Sequence, residues 1–266
     1  MMENSKKISI IITSYNNQEH LKKSIDSIYE KFSNFFDWEI IIVNNDEKQV
    51  ISDFLLDFSK VKIVDHKKNV GFGSGINLGA KEASGEFLFI LNPDTELLTD
   101  NVAAVLDEFE KDNNLGIIGG GVVDEENRRQ PWSAGKELSI YDLIRNNLGV
   151  SRSKIIWNSQ EKSQCDWVSG TAMFIKKDLF DELGGFDERF FMYFEDMDLC
   201  KRMRNIGKRI LFFPQFKVFH RGGESYSDKR LQKKHYYDSM ECYFEKNYNF
   251  FCQAVVKNIR KAIIRK

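Results

Sequence analysis

The sequence predicts an α/β fold in which helices cover both faces of a mostly parallel sheet. Over roughly the first 100 residues, short apolar runs alternate with segments in which apolar residues recur at helical spacing. This alternation is typical of parallel sheets, because their strands are buried on both sides and are therefore continuously apolar. Strand-like runs continue in the second half of the chain at less regular intervals.

Seven elements are predicted in the first half. Apolar residues recur at helical spacing from Leu21 to Phe32, and Gly85 stands where the third helix should end. In chain order, the elements are a strand at 8–13, a helix at 19–32, a strand at 39–43, a helix at 50–58, a short strand at 61–64, a helix at 74–84 and a strand at 87–91.

The second half combines further elements with one long irregular stretch, residues 124–166. Loops of this length in compact domains usually have a function. The elements are a strand at 116–123, a helix near 140–147, a strand at 167–175, a short helix at 178–183 closed by Gly184 and Gly185, a helix at 196–205 closed by Gly207, one or two strands in 209–219 around Pro214, and helix from 229 onward.

Composition excludes several classes of protein. A chain of 266 residues suffices for one large domain with an appended piece, and its formal net charge of -1 gives no basic field for nucleic acid. The four cysteines lack metal-ligand spacing and indicate reduced thiols in a cytosolic protein. No apolar run approaches the ~20 residues of a membrane span, and the run after Lys7 is too short for a signal peptide. We therefore expect a cytoplasmic location.

The most informative segment is the strand at 87–91 followed by Asn92, Pro93 and Asp94. Proline cannot continue a central strand, so the chain turns there and leaves the Asp94 carboxylate at the carboxyl end of the strand. Open α/β sheets bind ligands at this edge, and a carboxylate there suits a hard divalent cation that also holds a diphosphate. The alternative is an Asx-type turn without a ligand.

Three other polar clusters follow predicted strands and should meet at the same edge. They begin at Thr13, at Asn44 and at Asn69, and the third is a glycine-rich loop. That loop has Ile76 where the third glycine of a dinucleotide fingerprint belongs, and it follows the third strand. Its backbone N–H groups at 73–75 are expected to face a phosphate at a helix start. The alternative is that all these residues are ordinary turn formers.

The second informative region is an aromatic run at 190–194 followed by Glu195, Asp196 and Asp198. Aromatic neighbours limit solvation and like charges lie close together, and both effects raise a carboxylate pKa toward values that suit a general base. The alternative is that the acids only complement the dipole of the helix they open. His220 follows an apolar strand, and both a metal-ligand role and a structural role remain open for it.

With these motifs in order, the chain resembles family 2 glycosyltransferases of the GT-A fold, and in particular the rhamnosyltransferase-type branch. The resemblance implies a Rossmann-like, mostly parallel sheet flanked by helices, with a helical C-terminal extension. It also implies an inverting transfer from a nucleoside-diphosphate sugar. The motifs lie at 13–16, 43–45, 69–72, 91–94, 167–170, 184–188, 194–199 and 220.

The resemblance also implies roles for individual residues. Asp196 is the expected catalytic base, with Glu195 beside it shaping the acceptor site. Asp94 and His220 are the expected ligands of Mg²⁺ or Mn²⁺. Asn92 replaces the first acid of the family's Asp-x-Asp motif, and Asn44 replaces an acid that usually contacts the nucleotide base. The remaining expected contacts are Thr13, Tyr15, Asn44, Asn69, Gly71, Asn92 and Asp94 for the donor, and Trp167, Gly170, Arg129 and Glu195 for the acceptor.

The expected organisation is a transferase domain at 1–223, with a nucleotide-sugar half at 1–123 and an acceptor half at 124–223, followed by a helical extension at 224–266. Basic residues of the tail, including Lys257 and Arg260, lie opposite apolar ones such as Val256 on a helical wheel. This pattern fits an interfacial helix on the inner face of an anionic membrane. It equally fits a helix packed on the domain or on a second subunit of a homodimer.

The predicted function is therefore a metal-dependent, inverting glycosyltransferase of surface polysaccharide biosynthesis. The lead donor is dTDP-rhamnose, with UDP-hexoses next, and the acceptor is a glycan or a lipid-linked glycan. Two other functions stay open: a nucleotidyltransferase and a non-catalytic protein that binds sugar nucleotides or glycans.

Overall fold

The structure is a computed structural model that describes residues 7–16, 18–32, 37–47, 55, 58–147, 150–222 and 228–264. The helix predicted at 50–58 lies outside the described residues, except for positions 55 and 58. The boundary predicted between the transferase domain and its C-terminal extension also lies outside them, since residues 223–227 are not described.

Eleven strands and nine helices are found in the described residues. The strands are β1 (Lys7–Ser14), β2 (Asp37–Asn44), β3 (Val61–Asp65), β4 (Phe87–Leu91), β5 (Thr95–Leu97), β6 (Leu115–Val123), β7 (Ala134–Gly135), β8 (Ser163–Cys165), β9 (Trp167–Val168), β10 (Ala172–Lys176) and β11 (Arg209–His220). The helices are α1 (Gln18–Lys31), α2 (Phe72–Glu82), α3 (Val102–Lys111), α4 (Ile140–Asn147), α5 (Lys154–Trp157), α6 (Lys177–Glu182), α7 (Glu195–Asn205), α8 (Lys229–Asn247) and α9 (Phe250–Ile264).

The main sheet has the strand order β3-β2-β1-β4-β10-β6-β11-β5, and β8 pairs with β11. Strands β3, β2, β1 and β4 are parallel, as predicted. Strand β10 enters antiparallel between β4 and β6, and β6 and β11 are again parallel. The predicted α/β class is therefore confirmed, with a mixed second half of the sheet.

Strand β1 shows why the central strands are apolar throughout. Ile10 and Ile12 face one core cluster with Leu21 of α1, whereas Ile11 faces the other with Ile76 of α2. Successive side chains of a strand point to opposite faces, so helices on both faces require apolar residues at every position. Each fully buried isoleucine contributes about 1.5–3 kcal/mol of transfer free energy.

One predicted element differs from the structure, and the prediction of one or two strands around Pro214 is decided in favour of one. Residues 167–175 form two strands, β9 and β10, which belong to different sheets and are separated at 169–171. Strand β11 runs through Pro214 as one strand, and its register against β6 shifts between Phe213 and Lys217. Proline has no N–H to donate, and such an irregularity accommodates it without the loss of a ladder bond.

The third predicted helix also differs at its ends. Helix α2 begins at Phe72 and ends at Glu82, and the backbone of Ala83 is already extended. Gly85 therefore lies beyond the end of the helix. Its own backbone packs closely on β1, because an added Cβ would lie 2.6 Å from the nitrogen of Ser9.

The C-terminal extension consists of α8 and α9, which pack on each other and on the domain. Val256 of α9 is fully buried in a cluster that includes Phe244 of α8 and Phe194. Lys257 lies 2.7 Å from Glu245, and Arg260 lies 3.2 Å from Glu241. Val256 and Ile259 of the apolar face thus pack inside the molecule, whereas Phe250 and Phe251 at the start of α9 are exposed. None of the helices described here has the length and apolarity needed to cross a bilayer.

Candidate active site

A cavity of about 560 Å³ lies at the carboxyl ends of the parallel strands. It brings together residues from all four of the polar clusters that follow strands, as well as the acids that open α7. Most of the expected site residues line it: Thr13, Tyr15, Asn69, Gly71, Asn92, Asp94, Trp167, Gly170, Glu195, Asp196 and His220. The geometric expectation that the strand ends converge is therefore confirmed.

Asp94 and His220 are 126 positions apart in sequence and meet because β5 pairs antiparallel with β11. In this pairing His220 lies opposite Thr95, next to Asp94, and the Arg221 N–H donates to the Asp94 carbonyl oxygen at 3.2 Å. His220 Nε2 lies 3.4 Å from Asp94 Oδ1 and 3.3 Å from Asn92 Nδ2. Burial disfavours the charged carboxylate, but the hydrogen bond and the positive charge that a doubly protonated His220 ring would offer outweigh it and lower the pKa of Asp94.

This pair has the chemistry of part of a divalent-cation site. Asp94 is 4% exposed, and its Oδ1 atom is buried with no hydrogen-bond partner among the described residues. A buried carboxylate oxygen without a partner is costly unless a ligand satisfies it. Among the described residues, no group of three or more His, Cys, Asp or Glu side chains is placed so that it could hold a metal ion by itself. Mg²⁺ and Mn²⁺ fit this arrangement, because such cations often take one or two carboxylates and complete their shell with substrate phosphates and water.

The opposite wall is formed by the ends of β1 and β2 and by the glycine-rich loop. The amide of Asn45 donates to the Gly71 carbonyl at 3.1 Å, and the Gly71 N–H donates to Asn69 Oδ1 at 3.1 Å. Thr13 Oγ1 and Asn45 Oδ1 are buried and find no partner among the described residues. These two oxygens are therefore available to a polar ligand, while Tyr15 stands at the rim, 42% exposed.

Two segments expected on this wall lie outside the cavity lining. Asn44 does not line the cavity: its amide donates to Asp65 Oδ1 at 2.7 Å, and its oxygen accepts from the Asp46 N–H at 3.0 Å. The next residue, Asn45, takes the position facing the cavity. Residues 73–75 are buried outside the lining, and the Phe72 N–H donates to the Phe191 carbonyl at 3.0 Å. The aromatic segment thus covers the helix start that was expected to face a phosphate.

Glu195 and Asp196 differ in their surroundings, although burial raises the pKa of both. Asp196 Oδ2 accepts from the Gly170 N–H at 3.1 Å, and Oδ1 accepts from the Met197 N–H at 2.7 Å. Glu195 is 5% exposed, its Oε2 has no partner among the described residues, and the charge of Asp196 raises its pKa further. Asp196 is therefore the first of the two to ionise, and Glu195 retains its proton to higher pH.

The turn that presents these acids is strained. Tyr193 and Phe194 both have positive φ, 69° and 66°, a conformation that costs about 1–3 kcal/mol for each non-glycine residue. Helix α8 holds the turn in place: Gln232 Nε2 donates to Tyr193 Oη at 2.8 Å, and the ring of Phe194 packs 5.6 Å from that of Tyr243. The strain is thus maintained by contacts with the C-terminal extension.

The expected acceptor residues divide into two groups. Trp167 and Gly170 line the cavity, and the Trp167 indole N–H is already used by the Lys136 carbonyl at 2.9 Å. Arg129 does not line it. Its guanidinium turns toward β11 and donates to the Pro214 carbonyl at 3.1 Å, while burial lowers its pKa. The adjacent Gln130 faces the cavity instead.

Several lining residues were not anticipated from the sequence. The C-terminal extension closes one side of the cavity with apolar and aromatic side chains. Periodicity alone does not distinguish a helix that lines a site from one that packs elsewhere, so only the aromatic content of 236–248 could have suggested this. These residues are Tyr236, Tyr237, Met240 and Ile259, together with Met192 from the aromatic run.

Comparison with known proteins agrees with this geometry. The family described as "Glycosyl transferase family 2" matches residues 9–184. "Rhamnosyltransferase WbbL" of Escherichia coli is 24% identical over 222 residues, which cover 80% of this chain and 83% of that protein. "N-acetylglucosaminyl-diphospho-decaprenol L-rhamnosyltransferase" of Mycobacterium tuberculosis is 25% identical, and the match spans 63% of this chain and only 61% of the relative.

Solved structures resemble the fold at low identity. GalNAc-T7, crystallised with UDP, GalNAc and Mn²⁺, superposes with a TM-score of 0.66 at 16% identity, over 91% of this chain and 51% of its own. The mannosyltransferase PcManGT from Pyrobaculum calidifontis, in complex with GDP-Man and Mn²⁺, superposes with a TM-score of 0.61 at 16% identity. The superposition covers 91% of this chain and 64% of the mannosyltransferase chain. The family match covers most of the chain and includes Thr13, Asn45, Asn69 and Asp94 of the cavity. This chain therefore belongs to glycosyl transferase family 2 and is a glycosyltransferase of the GT-A fold.

Proposed function

We propose that this chain catalyses an inverting, metal-dependent transfer of a sugar from a nucleoside-diphosphate donor to a hydroxyl of a glycan or lipid-linked glycan. The observation that carries the proposal is that one cavity contains both the Asp94–His220 pair and the Asp196 carboxylate. A cation site for the leaving group and a base for the nucleophile are the two parts that such a reaction needs.

The base step follows from the surroundings of Asp196. Its anion is stabilised by two backbone N–H groups, from Gly170 and Met197, which fix both carboxylate oxygens. In the proposed reaction it accepts the proton of the acceptor hydroxyl while that oxygen bonds to the anomeric carbon. The bond from this carbon to the diphosphate breaks, and its electron pair leaves with the diphosphate. The single displacement inverts the anomeric centre, so no enzyme nucleophile is required.

Glu195 has the opposite role in this scheme. Its buried carboxyl group keeps its proton, so it can donate a hydrogen bond to an acceptor oxygen without adding a second negative charge beside Asp196. On the other side of the cavity, Asp94 and His220 would hold Mg²⁺ or Mn²⁺. When bound, such a cation supplies positive charge that neutralises the departing diphosphate.

The relatives support the choice of donor and acceptor. Two of them are named as rhamnosyltransferases, which makes dTDP-rhamnose the lead donor and a UDP-hexose the alternative. The name of the mycobacterial relative includes a diphospho-decaprenol acceptor. The apolar side formed by Tyr236, Met240 and Ile259 suits an acceptor with an apolar part. We therefore propose a cytoplasmic reaction in surface polysaccharide biosynthesis, on a glycan that is carried by a lipid.

The two other functions are less well supported. A nucleotidyltransferase needs a triphosphate and no base for a sugar acceptor, whereas the Asp196 carboxylate lines the cavity and accepts hydrogen bonds from the Gly170 and Met197 N–H groups. A protein that only binds sugar nucleotides gains nothing from two buried acids on a strained turn. Both features cost folding free energy, and catalysis is a reason to retain them.

The first test is a thermal-shift panel of dTDP, UDP, GDP, ADP and NAD, each with and without Mn²⁺. A ligand at about 100 times its Kd stabilises the protein by about 2.7 kcal/mol and raises Tm by a few degrees. We expect a Mn²⁺-dependent shift with dTDP, or with UDP if the donor is a UDP-hexose. Transfer from the matching sugar nucleotide then tests catalysis. The absence of a shift with every diphosphate would contradict the proposal.

A further inference from the structure

We infer that Gln130 is a positioning residue that fixes the tautomer of His220, so that the Nε2 lone pair points toward the cation site. The inference rests on the proposed metal-dependent function. His220 ligates a cation through a ring nitrogen only if that nitrogen carries no proton, and a neutral imidazole carries its single proton on either Nδ1 or Nε2. A neighbour that binds the other nitrogen therefore decides whether the ligand atom is available.

The side chain of Gln130 makes two contacts with the same residue. Its Nε2 donates to the main-chain carbonyl oxygen of His220, and its Oε1 lies 2.9 Å from His220 Nδ1. A carbonyl oxygen only accepts, so the Gln130 atom that faces it must be the amide nitrogen. The amide oxygen then faces Nδ1, and because this oxygen also only accepts, Nδ1 must carry the proton.

The remaining contacts of the ring agree with this assignment. With the proton on Nδ1, Nε2 has a lone pair, and the Asn92 Nδ2–H group lies 3.3 Å away as a suitable donor. The same lone pair is 3.4 Å from Asp94 Oδ1, which has no hydrogen-bond partner among the described residues. Two unprotonated ligand atoms thus lie side by side. In the other tautomer, an Nε2–H group would point at Asp94 and occupy the position of the cation.

The backbone holds Gln130 in this position. Residues 124–129 form a tight turn after β6, in which Asn127 has a φ of 59°, and Val123 and Arg129 form an antiparallel bridge. The Gln130 N–H then donates to the Val122 carbonyl at 2.9 Å. Val122 is paired with Val218 of β11, two residues before His220. Gln130 and His220 are therefore linked through the sheet, independently of any ligand.

The test compares Gln130→Met, which keeps the length but removes both polar groups, with Gln130→Glu, which keeps an acceptor for Nδ1–H. The matched control is Gln215→Met, because Gln215 also donates a side-chain hydrogen bond to a main-chain carbonyl, that of Gln160 at 2.9 Å, and lies outside the cavity. The first readout is the ¹⁵N spectrum of the His220 ring in metal-free protein at pH 8, assigned with His220→Asn. This readout is independent of metal binding and activity.

We expect wild type, Gln130→Glu and Gln215→Met to have the proton on Nδ1, and Gln130→Met to shift toward Nε2–H. The second readout is the Mn²⁺ dissociation constant in the presence of dTDP, measured by the loss of the free-Mn²⁺ electron paramagnetic resonance signal. Loss of a partner that orients a metal ligand typically weakens affinity about 10–100-fold, and we expect this for Gln130→Met but not for Gln215→Met.

Two outcomes would overturn the inference: an Nδ1–H tautomer in Gln130→Met, or Mn²⁺ affinity in that variant equal to that of the control. Failure of the proposed function looks different. If His220→Asn binds Mn²⁺ as tightly as wild type, the cation site itself is wrong, whatever tautomer the Gln130 variants show.

Discussion

The hydroxyl of Ser239 donates a 2.7 Å hydrogen bond to the main-chain carbonyl oxygen of Met192. This bond joins helix α8 of the C-terminal extension to the strained turn that presents Glu195 and Asp196. Ser239 is 3% exposed, so its bond is shielded from water. The extension is therefore part of the framework of the candidate active site, because it contacts two consecutive residues at positive φ, Tyr193 and Phe194.

Replacement Ser239→Ala should lower both stability and turnover. It leaves a carbonyl group without its partner, which costs about 1–3 kcal/mol. It also loosens the turn, and we expect kcat to fall roughly tenfold because small displacements of catalytic groups are costly. The control is Ser27→Ala, since Ser27 is buried and accepts from the Leu97 N–H at 2.9 Å, outside the cavity. If Ser27→Ala lost as much kcat as Ser239→Ala, the loss of kcat in Ser239→Ala would be due to lower stability alone.

Replacement Asp196→Asn should abolish transfer while donor binding persists. The amide cannot accept a proton at neutral pH, and removal of a general base typically costs about 10²–10⁴-fold in rate. Donor affinity should stay close to wild type because Asp196 is hydrogen-bonded to Gly170, which is proposed to contact the acceptor and not the donor. Steady-state kinetics and the thermal shift with dTDP and Mn²⁺ measure the two properties separately. Retained turnover would exclude Asp196 as the base.

Replacement Glu195→Gln should change how stability depends on pH. Burial raises the folded-state pKa of Glu195 well above the ordinary value of 4.5, so the folded state holds a proton that the unfolded state releases. Wild-type stability should therefore decline as pH rises from 4.5 to the folded-state pKa and then level off. The variant lacks this contribution, so its stability relative to wild type should increase over the same range in urea unfolding experiments.

Asp187→Asn is the control for this pH dependence, because the pKa of Asp187 is shifted in the opposite direction to that of Glu195. Hydrogen bonds from Arg189 and Lys246 lower the pKa of Asp187, so its contribution to stability is present at neutral pH and declines as pH falls below the ordinary value of 3.8. The contradicting outcome would be a difference in unfolding free energy between Glu195→Gln and wild type that stays constant across the pH range. The Glu195 carboxyl would then lack the raised pKa that its burial indicates.

Replacement Asp94→Asn should weaken the binding of nucleoside diphosphate only when Mn²⁺ is present. The amide is nearly isosteric but has no charge to offer a cation, and its nitrogen places a donor next to His220. We expect the Mn²⁺-dependent thermal shift with dTDP to disappear and the smaller metal-free shift to remain. An unchanged Mn²⁺-dependent shift would remove Asp94 from the cation site.

Replacement Gly71→Ala should impair both folding and donor binding. Gly71 has a φ of +86°, and an added Cβ would lie 2.1 Å from the Phe191 carbonyl oxygen. Gly184→Ala is the control, because Gly184 has a φ of +73° but nothing within 4 Å of an added Cβ. The control should cost about 1–2 kcal/mol for backbone strain alone, whereas Gly71→Ala should cost more and weaken dTDP binding. If Gly71→Ala and Gly184→Ala lost the same stability, and Gly71→Ala bound dTDP as tightly as wild type, the close approach of Gly71 to the Phe191 carbonyl oxygen would be contradicted.

Several features of the site were predictable because they depend on local sequence. The strand at 87–91 and its termination by Pro93 place Asp94 at the carboxyl edge in any parallel α/β sheet. The cluster of acids after an aromatic run indicated raised carboxylate pKa values, and the structure gives Glu195 and Asp196 that property. Both predictions depend only on the direction of the chain, the position of apolar runs and the residues that are adjacent in sequence.

In two places the residue that lines the cavity is the one after the residue named from the sequence, and the cause is the same. Asn44 and Asn45, like Arg129 and Gln130, are consecutive residues in extended or nearly extended chain, so their side chains point in opposite directions. The sequence located the segment, but which of the two neighbours faces the cavity depends on register against other strands. The bridge between Val123 and Arg129 sets that register for Gln130, and it forms only in the folded chain.

The sequence by itself determined the α/β class, the order of most elements and the carboxyl-edge position of the polar clusters, because these follow from hydrophobic periodicity and turn chemistry. Only the tertiary structure decided three relationships. They are the pairing of Asp94 with His220, the contact of Gln130 with the His220 ring, and the packing of α8 and α9 against the turn at Tyr193 and Phe194. Each joins segments far apart in the chain. An amphipathic helix has the same apolar face whether it meets a membrane or a neighbouring helix, so only the folded contacts distinguish the two.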